Sequence, residues 1–222
     1  MLYGHLPKDL GLIDITNHEM MFWLYCPVKL PGSGLYYIPE NLKWSAEIII
    51  DAARDFTKSY PDRALKDHYV YVTAKTLFVS GAYIGNRPGW HSDGFGTDDI
   101  NYIWCDRAPT QFLHLDPPRP LSSDCCESMR EMERLAYWTE CVGPIDFEHT
   151  TFPDKHLLRL DQSVIHRSPV DFAPGMRTFV KVSISTDRYD LIGNSVNHRL
   201  AFGPLVAARQ PDRNHPQSRL SA

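Results

Sequence analysis

His91 and Asp93 stand two residues apart in the run Asn86-Arg-Pro-Gly-Trp-His91-Ser-Asp93-Gly-Phe-Gly. On a strand, or at its end, that spacing turns both side chains to one face, where an imidazole and a carboxylate can share a metal ion. A second imidazole arrives far along the chain, at His166 in Asp161-Gln-Ser-Val-Ile-His-Arg-Ser-Pro, on a short apolar stretch that reads as a strand. Two imidazoles and one carboxylate make a facial set that leaves adjacent positions open on an ion such as Fe(II), whereas closed structural zinc needs a fourth ligand. Eleven residues beyond His166 comes Arg177, on the next expected strand. A guanidinium buried inside a barrel needs an anion, because an unpaired buried charge costs several kcal/mol. A ligand carboxylate bound through two hydrogen bonds would meet that need.

The order His-x-Asp, then a distant His, then an Arg shortly after it, resembles the Fe(II)/2-oxoglutarate-dependent dioxygenases over roughly His68 to Ser185. The resemblance implies a mainly β fold with flanking helices, a double-stranded β-helix of the jelly-roll or cupin-like kind. It implies that His91, Asp93 and His166 hold Fe(II) and that Arg177 pairs with the far carboxylate of 2-oxoglutarate. The implied activity is oxidation of an unactivated C–H bond of a small-molecule substrate by O2, with release of succinate and CO2. Related halogenases carry a small residue in place of the carboxylate, so Asp93 points to hydroxylation or a related oxidation. The chain departs from the family pattern in two places. The hydroxyl residue common two positions after the Arg is Phe179 here, and the usual Gly-Asp turn before the distal His reads Leu160-Asp161. A second hydrogen bond to 2-oxoglutarate then falls to Tyr102, Ser163 or Thr178, and Tyr102 is the choice carried forward.

His114-Leu-Asp116 is a competing His-x-Asp. Strand count favours His91 and Asp93, which leave strands near 100, 111, 145 and 156 before the distal His; the glycines at 89, 94 and 96 also permit close backbone approach. His149, His156 and His198 lack partners at useful spacing and read as structural or surface residues. Lys181 and Arg188 read as ordinary salt-bridging residues on an exposed strand face, with Lys181 the fallback partner for a cosubstrate carboxylate. Trp90, Phe95 and Arg87 flank the metal pair, and at least one is expected to line a substrate pocket. Two other readings stand beside the oxygenase: a cupin-like isomerase or hydrolase using the same ligands without 2-oxoglutarate, and a binding module on a decayed enzyme scaffold. A nucleobase-oxidising enzyme is a substrate-level variant of the first.

These residues need elements to position them. Apolar residues at Leu42, Ala46, Ile49, Ala53 and Phe56 predict a helix with Asn41 as N-cap and a stop at Tyr60-Pro61. A second helix is expected over Asp124 to Glu140, with Asp124 and Glu127 as a capping-box pair. Short strands and turns are expected in the first forty residues. The further strands fall at His68 to Thr73, Lys75 to Ser80, Ile100 to Cys105, Gln111 to Leu115, Ile145 to His149, His156 to Leu160, Ser163 to Arg167 and Met176 to Ser185. The 222 residues suit one domain over 1–208, core strands about 68–186, with a loose polar tail over 209–222. A formal charge of -4 with no basic block argues against duplex binding. No apolar run is long enough to span a membrane, and five cysteines without metal-finger spacing suggest reduced thiols and a cytoplasmic setting.

Overall fold

The computed structural model describes residues 1–142 and 149–208. The strand expected near Ile145 and the tail expected beyond 208 lie outside the described residues. The fold is mainly β. A six-stranded antiparallel sheet contains β1 (Lys8–Leu12), β2 (Met21–Lys29), β3 (Tyr69–Val79), β4 (Ile100–Cys105), β6 (His156–Leu160) and β8 (Gly175–Ser185), in the order β1-β6-β4-β8-β3-β2. β5 (Gln111–Leu113) and β7 (Ile165–Arg167) pair as a second sheet. Single bridges extend it, joining His91 to His166 and Phe112 to Thr150. The two sheets are separate and do not close into a barrel among the described residues.

Two helices flank them, α1 (Ala46–Ser59) and α2 (Cys125–Val142). α1 buries Ile48, Ile49, Ala52 and Phe56 completely, a helical stripe that packs on Val70, Val72, Ala74, Tyr102, Trp104, Val180 and Val182 of the large sheet. The other face of that sheet supplies Ile103, Leu158, Leu160 and Phe179, which meet Phe112 and Val164. α2 covers the outside of the second sheet through Met132 and Ala136, against Trp90, Leu113, Leu115 and Ile165. The order is therefore helix, sheet, interior, sheet, helix.

Two capping expectations change. A 3-10 turn over Glu40–Ser45 precedes α1, so Asn41 lies inside it and Pro39 takes the preceding position. Asp124 does cap α2, its Oδ1 accepting from the N–H groups of Cys126 and Glu127 at 3.0 and 2.8 Å. The Glu127 carboxylate accepts from the Ser122 hydroxyl instead of returning to Asp124, so the box is open. The two runs expected between His68 and Ser80 form one strand, β3.

Candidate metal centre

His91 and His166 are brought together by their backbones. Each N–H donates to the carbonyl of the other, at 2.9 and 2.8 Å. A hydrogen-bonded antiparallel pair places its two side chains on one side, and the rings stand 4.5 Å apart between centroids. The strand expected to carry His91 and Asp93 is reduced to this one bridge. Gly89 and Gly94 on either side adopt φ of 76° and 71°, conformations that an extended strand does not contain. A turn follows at Asp93–Gly96, closed by Thr97 N–H donating to the Gly94 carbonyl. Gln162, four residues before His166, holds that turn: its Oε1 accepts from Gly96 N–H and its Nε2 donates to the Thr97 carbonyl. The segment leading to one histidine thus fixes the turn that carries the carboxylate.

One ligand atom from each of His91, Asp93 and His166 lies within 4.8 Å of the others, in the single such cluster of three found among the described residues. Both rings are oriented for coordination. His91 Nδ1 lies 2.8 Å from the Gly89 carbonyl and His166 Nδ1 lies 3.2 Å from the Val164 carbonyl. A carbonyl only accepts, so each Nδ1 carries the proton and each Nε2 keeps its lone pair. His166 Nε2 stands 3.7 Å from Asp93 Oδ2. Protonation states suit the same end. Burial, then His166 and Arg87, hold His91 well below the ordinary imidazole value. Burial also lowers His166, against the pull of Asp93. Burial alone would raise the Asp93 carboxyl, but Lys181, followed by His166 and His91, drives it far below the usual carboxylate range. Two neutral imidazoles and a carboxylate form a set able to hold a divalent cation.

The remaining candidates divide. Arg177 is 4% exposed; its Nε donates to the carbonyls of Arg107 and Ala108 at 3.0 and 3.1 Å. Its Nη2 is buried without a hydrogen-bond partner among the described residues. Arg177 shares a face of β8 with Lys181, four residues on, and Lys181 reaches Asp93 at 3.0 Å, so Arg177 opens onto the side of the sheet that carries the triad. Tyr102 does not. It alternates with Ile100 and Trp104 toward α1, where its hydroxyl donates to Asp55 Oδ2 at 2.9 Å. Thr178 faces the same way, its hydroxyl 3.2 Å from that of Thr76, and the Ser163 hydroxyl donates to Asp161. His114 and Asp116 are exposed. His149 pairs with Glu140 and His156 with Asp9.

Lys181 is not the surface residue that its strand position suggested, being 8% exposed. Arg87 also stands at the site: its charge bears on both histidines, and its Nη2 donates to Met129 Sδ at 2.7 Å. The signal for Lys181 was its even spacing from Arg177. No protein-family model and no curated protein matches this chain.

Proposed function

We propose that this protein is an Fe(II)- and 2-oxoglutarate-dependent oxygenase of double-stranded β-helix architecture, which hydroxylates or otherwise oxidises a C–H bond of a small-molecule substrate. The observation that carries the reading is the buried cluster of His91, Asp93 and His166, with both Nδ1–H groups anchored and both Nε2 atoms left to coordinate. Two features support the finer parts. The chain passes between the sheets through β3, the His91 bridge, β4, β5, the Thr150 bridge, β6, β7 and β8, staying in the smaller sheet only from β5 to the Thr150 bridge, the path of a jelly roll. The unpartnered Arg177 Nη2 offers a buried donor to a carboxylate, and its burial weighs against a cupin-like hydrolase that has no use for it.

When bound, the metal and 2-oxoglutarate supply the O2-dependent oxidising chemistry, with the keto acid leaving as succinate and CO2. The chain's own residues bind and orient. His91 and His166 present fixed lone pairs, and Asp93 adds the single negative charge. Arg177 anchors the far end of the dicarboxylate: about 13 Å of strand separates it from Lys181 at 3.3 Å per residue, a span that an Arg side chain and a five-carbon diacid cover together. Trp90, Leu113 and Ile165 pack beneath α2 and keep water from the back of the ligand-bearing segments.

Anaerobic titration with Fe(II) and 2-oxoglutarate tests this, by the weak visible metal-to-ligand band and then by succinate release on admitting O2. His91→Ala or Asp93→Ala is expected to abolish both signals. Metal binding with neither a band nor succinate would overturn the oxygenase reading and leave only the metal site.

A further inference from the structure

Lys181 Nζ donates to Asp93 Oδ2 at 3.0 Å and to the Tyr25 hydroxyl at 2.9 Å. Its backbone is fixed on both sides, opposite Thr73 of β3 and Ile103 of β4, so the ammonium is placed by the centre of the sheet. Tyr25 is placed as deliberately. It adopts φ 46° within β2, a left-handed conformation uncommon for an aromatic residue, where the pairing with β3 shifts register between Trp23 and Cys26. Its N–H donates to Thr73 Oγ1, which holds the distortion. The Asp93 oxygen that Lys181 occupies is the one 3.7 Å from His166 Nε2. The ammonium therefore engages the oxygen that looks toward the imidazole nitrogens, the side from which a metal ion would be held.

Resting on the reading of the triad as a metal site, we propose that Lys181 is a resident counter-cation that neutralises Asp93 in the metal-free protein, competes with the incoming ion for that carboxylate and so sets the metal affinity. It is a positioning residue acting through Asp93. With neutral histidines, Lys181 cancels the one negative charge of the triad while the Arg87 guanidinium stands nearby; without the ammonium, the Asp93 charge is left for the incoming ion. A divalent ion entering beside a buried ammonium meets a repulsion that bulk water does not screen. Tyr25 gives the ammonium a second partner to retain as Asp93 turns to the metal. Removal of a mere structural strut would loosen the metal site, whereas removal of a competing cation tightens it.

Co(II) titration at neutral pH, followed by visible absorption, separates the two. Lys181→Met is expected to bind Co(II) at least about tenfold more tightly than the parent, while its metal-free form melts at a lower temperature because Asp93 has lost its partner. Lys181→Arg, which keeps the charge, should stay within about threefold of the parent. Equal or weaker binding by Lys181→Met overturns the proposal. Should that variant not fold, Tyr25→Phe carries the test: the ammonium keeps the ring beneath it but has Asp93 as its one remaining hydrogen-bond partner among those described, Co(II) binding weakens severalfold, and an unchanged affinity overturns the proposal. A parent protein that takes up no Co(II) overturns the metal reading itself and this inference with it.

Discussion

The Arg177 guanidinium donates from Nε to two backbone carbonyls, and its buried Nη2 has no hydrogen-bond partner among the described residues. Backbone oxygens orient a guanidinium without neutralising it, and Asp154 feels the Arg177 charge without a hydrogen bond to Nη2, so a ligand carboxylate arriving at Nη2 gains a charge-assisted hydrogen bond of about 1.5–3 kcal/mol. Arg177→Gln is accordingly expected to weaken 2-oxoglutarate binding by at least about tenfold, with Fe(II) affinity near that of the parent, both read from the same anaerobic titration. Unchanged 2-oxoglutarate affinity would remove Arg177 from the site. Tyr102 supplies the matched control. Its hydroxyl is spent on Asp55 beneath α1, so Tyr102→Phe should leave cosubstrate affinity alone and lower stability by about 1 kcal/mol. The clustering of His91, Asp93 and His166 was legible because order and spacing along the chain suffice to group them. Tyr102 was misplaced because every residue of β4 is buried, which erases the inside–outside alternation that assigns a strand residue to a face. Even spacing put Lys181 on the Arg177 face of β8, but its pairing with Asp93 is a contact between residues 88 apart that no local pattern encodes.

At the scale of elements, α2 is tied to both ligand-bearing segments. Glu133 Oε1 accepts from the N–H of Trp90, the residue before His91, at 2.7 Å. Glu140 pairs with Arg167, the residue after His166, at 3.1 Å, and the Arg167 guanidinium lies 4.4 Å from the Trp90 ring centre. Capping residues and periodicity placed this helix well from sequence, but its tie to the site depends on long-range contacts that no local pattern encodes. Burial raises the Glu133 carboxyl above its ordinary value, with the Trp90 N–H and then Arg167 acting against it. A carboxyl raised on folding contributes stability below its unfolded value and loses it as pH climbs through the folded one. At neutral pH the charge is therefore a burden, while the acceptor is needed. Glu133→Gln keeps the acceptor without the charge and should match or exceed the parent in urea unfolding at neutral pH. Glu133→Ala strands the Trp90 N–H, costs about 1–3 kcal/mol and weakens metal binding by about tenfold as the His91 segment loosens. Equal metal affinity in the alanine variant would mean that the bridge to His166 positions His91 unaided.

For the whole molecule, the three candidate metal ligands come from two segments distant in sequence: the turn between β3 and β4, and β7. One pair of backbone hydrogen bonds joins them at His91 and His166, outside the large sheet. A bound ion adds a link between these segments that the unfolded chain cannot form at comparable affinity, so metal binding becomes folding free energy. At a hundredfold excess over Kd this amounts to about 2.7 kcal/mol. A chain of this size gains about 2–4 °C in Tm per kcal/mol, which predicts a rise of roughly 5–10 °C with saturating Mn(II) or anaerobic Fe(II), reversed by a chelator. His91→Ala and His166→Ala should each flatten the rise, while Arg177→Gln should retain it, since the role proposed for that side chain is to hold the cosubstrate and not the ion. No helix among the described residues is long and apolar enough to cross a membrane. A metal-induced rise that survives loss of either histidine would place the stabilising ion elsewhere on the protein and detach the buried triad from its assigned chemistry.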